Sequence, residues 1–309
     1  MGSSINTNIA AMTALQSLNA TNKDLLTTQN RVSTGFRVND ASDNAAYWSI
    51  ATTMRGDRSS ISTVVDALGL GSATAEIATK GIESAIEIAG KIKDKLVAAR
   101  TPGVDRTKIQ SEISELQESL QAVVQGATFN GQNWLQTHST DDTERTIVSS
   151  FSRSSDGSIA VGTITVDLDS TRLVDTDTTA SAAGGILDSD ITITNGSDVT
   201  VLDLDISALA DVDADLTDLE DMIDGVDAAI ESMTDAATTL GAIKTRIDIQ
   251  KDFAMSLMDA IDTGVGQLVD ADMNSESTRL QALQVRQQLG ISALGIANQS
   301  AQMILRLFQ

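Results

Sequence analysis

The chain has 309 residues, 41% of them apolar, enough for two or three modest domains or one extended body with a core, and too apolar for a disordered polymer. Lys and Arg number 21 against 43 Asp and Glu, and the net charge of −22 argues against a nucleic-acid or anionic-membrane surface. The absence of cysteine excludes disulfides and thiol chemistry, and a single histidine, His138, excludes a His-based triad or zinc cluster.

Met1 to Asn8 are polar without a basic patch, and no apolar run of signal-peptide length follows, so no cleavable secretory signal is expected. No stretch approaches the roughly 18 apolar residues of a membrane span. Ile5, Ile9, Met12, Leu15, Leu18, Leu25 and Val32 then form one helical stripe, with Asn22 and Gln29 as its polar members. From Tyr47 through Ile50, Met54, Ile61, Val64 and Leu68 to Ile92, Leu96 and Ala99, apolar residues alternate at spacings of 3 and 4, interrupted only by Asp57. That is a coiled-coil seam of about seven heptads. Thr101-Pro102-Gly103, which holds the one proline, stops it. After Asp105, the expected N-cap, Ile109, Ile113, Leu116, Leu120, Val123 and Ala127 repeat the pattern, predicting a helix that folds back antiparallel. It should end near Phe129-Asn130-Gly131, where Asn-Gly supplies a turn.

Between residues 143 and 207 Ser, Thr, Asp and Gly dominate, and short alternating runs appear at Ile164, Val166 and Leu168, at Ile191 and Ile193, and at Val199 and Val201. With Asn195-Gly196 as a hairpin signal, they predict a small β-rich insertion. The longest helical run extends from Val212 to Leu268, about 57 residues or about 85 Å if unbroken. Gly225, Gly241, Gly264 and Gly266 are its expected weak points. The acids Asp211, Asp213, Asp215, Asp218, Glu220, Asp221 and Asp224 near its start read as solvated residues favoured by the helix dipole, since no loop has calcium-binding order. At the C-terminus Leu280, Leu283, Gln287, Gly290, Leu294, Ala297, Ala301, Ile304 and Phe308 form one stripe, while Leu289, Ile296 and Met303 form a second. A helix with two apolar faces needs two partners.

These elements predict a mainly α fold: a long antiparallel helical bundle or coiled-coil rod built from both chain termini, with a small β-rich insertion at the distal end. The run Thr28-Gln29-Asn30-Arg31-Val32-Ser33-Thr34-Gly35-Phe36-Arg37-Val38-Asn39-Asp40-Ala41-Ser42-Asp43-Asn44-Ala45-Ala46 resembles the N-terminal signature of bacterial flagellins. Its C-terminal counterpart is Leu268-Val269-Asp270-Ala271-Asp272-Met273, followed by Ser277-Thr278-Arg279-Leu280-Gln281-Ala282-Leu283-Gln284 and Ala297-Asn298-Gln299. Tyr47-Trp48-Ser49-Ile50 and the segment from Phe129 to Leu135 are most similar to alphaproteobacterial members.

The resemblance implies a structural subunit of the flagellar filament, extracellular, exported without a cleavable signal and self-assembling into a helical tube for swimming. A hook-filament junction protein of the same superfamily is the alternative. The implied domains are residues 1–43 and 268–309 as a terminal-helix inner core, 44–142 and 208–267 as a helical rod, and 143–207 as the outer insertion. Implied partners are identical or sister flagellin subunits, the flagellar export apparatus and its chaperone, and the filament cap and hook-junction proteins, with no nucleic acid and no membrane insertion. No catalytic residue, cofactor or metal is expected. The candidate self-assembly seam comprises Ile5, Ile9, Met12, Leu15, Leu18, Leu25, Leu280, Leu283, Leu294, Ile304 and Phe308. Arg31, Arg37, Arg55 and Arg58 are expected to make salt bridges to acidic neighbours in the polymer. In members sensed by the animal innate receptor, an exposed face of the first long helix carries Arg, Glu and Leu; Ile92, Lys95 and Leu96 take those places here, implying weak activation.

Overall fold

With one proline in the chain, little interrupts a helix once it is capped, and the caps decide where helices begin and end. The computed structural model describes residues 8–138, 143–154, 156–176 and 184–307, with 300–307 by backbone alone. Helix α1 (Ile9–Thr34) opens on Asn8, whose side-chain oxygen accepts the Ala11 N–H at 3.1 Å, and closes on Gly35 at φ 76°. Helix α2 (Ala45–Ala99) starts behind Asn44, which accepts the N–H groups of Ala46 and Tyr47 at 3.1 Å. Helix α3 (Arg106–Gly126) departs from expectation at its start: Asp105 sits at the N-cap without a side-chain cap bond and instead pairs with Lys108 at 3.3 Å. Strands β1 (Thr128–Phe129) and β2 (Gln132–Asn133) then form a two-residue hairpin around Asn130 (φ 49°) and Gly131 (φ 77°), the left-handed pair that Asn-Gly adopts most readily.

β3 (Gln136–Thr137) precedes the insertion, which contains β4 (Glu144–Arg153), β5 (Ile159–Asp167) and β6 (Val174–Asp175). β4 and β5 pair antiparallel with an irregularity between Val148 and Ser150, and β3 pairs parallel with β6. Ile164 and Val166 face inward on β5, as their alternation predicts. The later runs are less regular than expected. Ile191 and Val199 meet in an isolated antiparallel bridge, Asn195-Gly196 forms no strand pairing, and Val201 opens a short 3₁₀ helix (Val201–Asp203). Helix α4 (Asp213–Val269) and helix α5 (Met273–Leu307) complete the chain.

The glycines of α4 do not break it. Three of them are sites of close approach: a Cβ on Gly225 would come within 2.4 Å of Ile191 Cγ2, one on Gly266 within 2.8 Å of Asp270 Oδ2 and one on Gly264 within 3.3 Å of Met54 Cε. At Gly225 the missing side chain makes room for the packed Ile191, whereas the atoms nearest Gly264 and Gly266 are the ends of side chains that can move.

The chain divides into two units. Residues 1–58 and 259–309 form the first, residues 59–258 the second. In the second, an apolar core runs through Val64, Leu68, Ile82, Ile92 and Leu96 of α2, Ile113 and Leu120 of α3, and Leu219, Val226, Met233, Leu240 and Ile247 of α4, and extends over the inner face of the insertion. Salt bridges fix the antiparallel register of α2 against α4: Glu76 with Lys244 at 3.2 Å, Lys93 with Asp227 at 2.5 Å and Arg100 with Glu220 at 3.1 Å. Lys95 pairs with Glu112 across the α2–α3 turn. Arg106, 7% exposed, ties that corner together by donating to the carbonyls of Ala99 and Leu209 and to Asp211. In the first unit a smaller core gathers Val38, Ala51, Val265 and Val269, with Phe36 and Met54 against it.

Candidate self-assembly surface

In the first unit α1 and α5 pair antiparallel, and their contacts step in opposite directions along the two helices. The Asn8 side-chain amide donates to the Ala297 carbonyl at 3.0 Å, Gln287 Nε2 donates to Asn22 Oδ1 at 2.8 Å, and Arg31 reaches Glu276 at 3.2 Å. Gly290 lets the helices close up, since a Cβ there would stand 3.1 Å from Leu18 Cδ1.

The candidate seam residues fall into three sets. Leu25 (8% exposed) and Leu283 (4%) are buried between the helices, and Leu18, Leu280 and Leu294 are half-buried. Ile9 (71%), Met12 (62%) and Leu15 (48%) are exposed. Ile304 is described by backbone alone, and Ile5 and Phe308 lie outside the described residues. The stripe on α1 divides because Ile9, Met12, Leu15 and Leu18 are separated by three successive steps of 3. Each such step falls about 60° short of a full turn, so together they walk about half way round the helix. That drift was present in the spacing.

On α5 the second stripe is exposed at Leu289 (63%) and Ile296 (65%), and Val285 (55%), not singled out from sequence, extends it on the same face. Leu26 (61%) on α1 and Ile291 (57%) on α5 add further apolar area. The pair therefore buries one face of each helix and leaves a second apolar face of each in water. Such contiguous exposure marks an interaction surface.

Among the described residues no three His, Cys, Asp or Glu side chains are grouped to hold a metal, and no helix is long and apolar enough to cross a membrane. A groove of about 390 Å³ lies between Ile186–Thr192 and the Asp221–Ser232 stretch of α4, lined by Asp190, Asp221, Asp224 and Ser232. The Thr194 hydroxyl, together with the Thr194 N–H that donates to Asp221 at 2.8 Å, holds that carboxyl below its ordinary pKa. Burial pushes the neighbouring insertion carboxyl of Asp188 upward, a rise reinforced by the charge of Asp175 and opposed by the Asp175 N–H that it accepts at 2.7 Å.

Comparison with known proteins decides the family. The bacterial flagellin N-terminal helical region matches residues 5–140 and the C-terminal helical region residues 223–308. Flagellin C of Rhizobium meliloti is 48% identical over 99% of this chain and 99% of its own length. The chain belongs to the bacterial flagellin family. Flagellin A of the same organism is 39% identical over 99% of this chain and 100% of its own, and a Brucella melitensis flagellin 42% identical over 99% of each. A crystal structure of Bacillus cereus flagellin aligns with a TM-score of 0.39 and 17% identity over 60% of this chain and 86% of that one.

Three readings of this flagellin's side chains are corrected. Arg31 and Arg58 make their salt bridges within the chain, to Glu276 and Asp262; Arg37 donates to the Leu268 carbonyl at 3.0 Å, and Arg55 lies 5.1 Å over the Phe36 ring. Ile92 and Leu96 are wholly buried, because both lie on the α2 seam, so they form no exposed receptor face. The acids at the start of α4 are not simply solvated: Asp218 is 5% exposed and accepts from Asn195, Asp221 accepts from Thr194, and Asp215 accepts from Ala210. Asp218 and Asp221 receive N–H groups of the returning insertion, which no local pattern announces.

Proposed function

We propose that this chain is a structural subunit of the bacterial flagellar filament, self-assembling through the second apolar faces of α1 and α5. The observation that carries the reading is the exposure of Ile9, Met12, Val285 and Leu289 on a helix pair that buries its other face. Covering one such side chain contributes about 1–2 kcal/mol, and a polymer repeats the gain at every subunit. A contact between two different patches that does not close on itself grows a helical fibre, not a ring.

On this reading residues 1–43 and 268–309 form the inner core of the tube, 44–142 and 208–267 the surrounding rod, and 143–207 the outer insertion. The seam residues Leu18, Leu25, Leu280, Leu283 and Leu294 join the pair, and Ile9, Met12 and Leu15 meet the next copy; Ile5, Ile304 and Phe308 are counted with the seam from the sequence alone. Further partners are the export apparatus with its chaperone, the cap and the hook-junction proteins. The filament is extracellular, and the subunit's role is mechanical, with no substrate to convert. Deleting residues 290–309 tests the reading: the truncated chain is expected to stay soluble and to form no filaments after seeding, and filaments seen by electron microscopy would refute it.

A further inference from the structure

We infer that the Asn22–Gln287 amide pair selects the register in which α1 and α5 associate. The inference rests on the filament reading, because that register determines which apolar side chains reach the assembly faces. The flanking seam residues Leu18, Leu25, Leu280, Leu283 and Leu294 are apolar, and the amides meet between them at 2.8 Å, half-buried. An all-apolar heptad seam packs comparably after a slip of seven residues, about 10.5 Å. Polar members make the registers unequal. Slipped one way, Asn22 faces Leu294 and Gln287 meets Gln29; slipped the other way, Asn22 faces Leu280 and Gln287 faces Leu15. In both cases the Asn22 amide loses its partner against a leucine, which a half-buried amide tolerates poorly.

The charged end acts in the same sense. Arg31 pairs with Glu276 in the observed register; one slip sets Arg31 against Leu283, the other sets Glu276 against Asp24. The Asn8 bond to the Ala297 carbonyl carries no such information, since every residue offers a carbonyl. Asn22 and Gln287 are thus specificity-determining residues, costing some seam stability and excluding alternatives.

The absence of native cysteine makes the test direct. Leu294→Cys is a common anchor. Counted from the Leu18–Gly290 contact, Ala14→Cys lies opposite it in the observed register and Thr21→Cys lies opposite it after one slip. Each pair is treated with a short bismaleimide, on the soluble full-length chain and on seeded polymer, and the linked species that runs at monomer size is quantified. The Ala14 pair is expected to exceed the Thr21 pair about tenfold, falling to about threefold or less when Asn22→Leu and Gln287→Leu are both installed. An unchanged ratio in the double-leucine chain would overturn the inference. So would loss of all monomer-sized linking there, which would mean that the amides hold the pair together, and so would a ratio near one in the native background. Failure of the native chain to form filaments counts against the filament reading alone, since the ratio is also read on soluble protein.

Discussion

At the scale of single residues, glycines in one helix have opposite roles. Gly241 on α4 has nothing within 4 Å of where a Cβ would stand, whereas a Cβ on Gly225 would lie 2.4 Å from Ile191 Cγ2. Gly241→Ala is therefore expected to stabilise the chain by about 0.5–1 kcal/mol through helix propensity. Gly225→Ala should destabilise by about 1–3 kcal/mol through overpacking. Urea unfolding of the full chain measures both, and equal effects of one sign would contradict the assignment. Two carboxyls, one at the start of α4 and one in the insertion, differ in the same way. Asp221, held low by Thr194, adds stability above its unfolded pKa that is lost as the pH falls through its folded value. Asp188, pushed up by burial, penalises the folded state once the pH rises through its unfolded value toward neutrality. Asp188→Asn keeps an acceptor for the Asp175 N–H and removes the charge. It is expected to raise the melting temperature near neutral pH and to have little effect in acid where the native carboxyl is protonated; the reverse pH dependence would refute the cause given.

At the scale of elements, the exposed face of α5 carries the main expectation. Val285→Ser with Leu289→Ser should leave the unfolding of the second unit unchanged and raise the critical concentration for seeded polymerisation about 30–700-fold, at about 1–2 kcal/mol per side chain. Sedimentation of polymer against total protein reads this, and an unchanged critical concentration would exclude that face from assembly. The same elements indicate what sequence makes legible. Helices α2 and α4 were readable because their 3 and 4 spacing runs long without proline, and the β1–β2 hairpin because Asn130-Gly131 adopts positive φ cheaply. The division of the α1 stripe was also readable, in the successive steps of 3 from Ile9 to Leu18. The partners of Asp218 and Asp221 were not, since Asn195 and Thr194 are about twenty to thirty residues away and only tertiary folding brings them together. Nor was the role of Gly225, which depends on where Ile191 of the insertion comes to rest.

At the scale of the whole molecule, the two units divide the work. Residues 59–258 enclose an extensive core with a buried insertion face, and residues 1–58 with 259–309 bury little and expose much. A unit of the second kind gains order when another copy covers it. The measurement closest to this claim is amide hydrogen exchange across residues 285–299, compared between the soluble full-length chain and the product of seeding it with filament fragments. The expected result is pelletable filaments in which exchange through this stretch slows by at least about a hundredfold. A chain that stays soluble with the stretch already protected, or filaments in which it exchanges as fast as before, would contradict the assembly of this protein through its terminal helices.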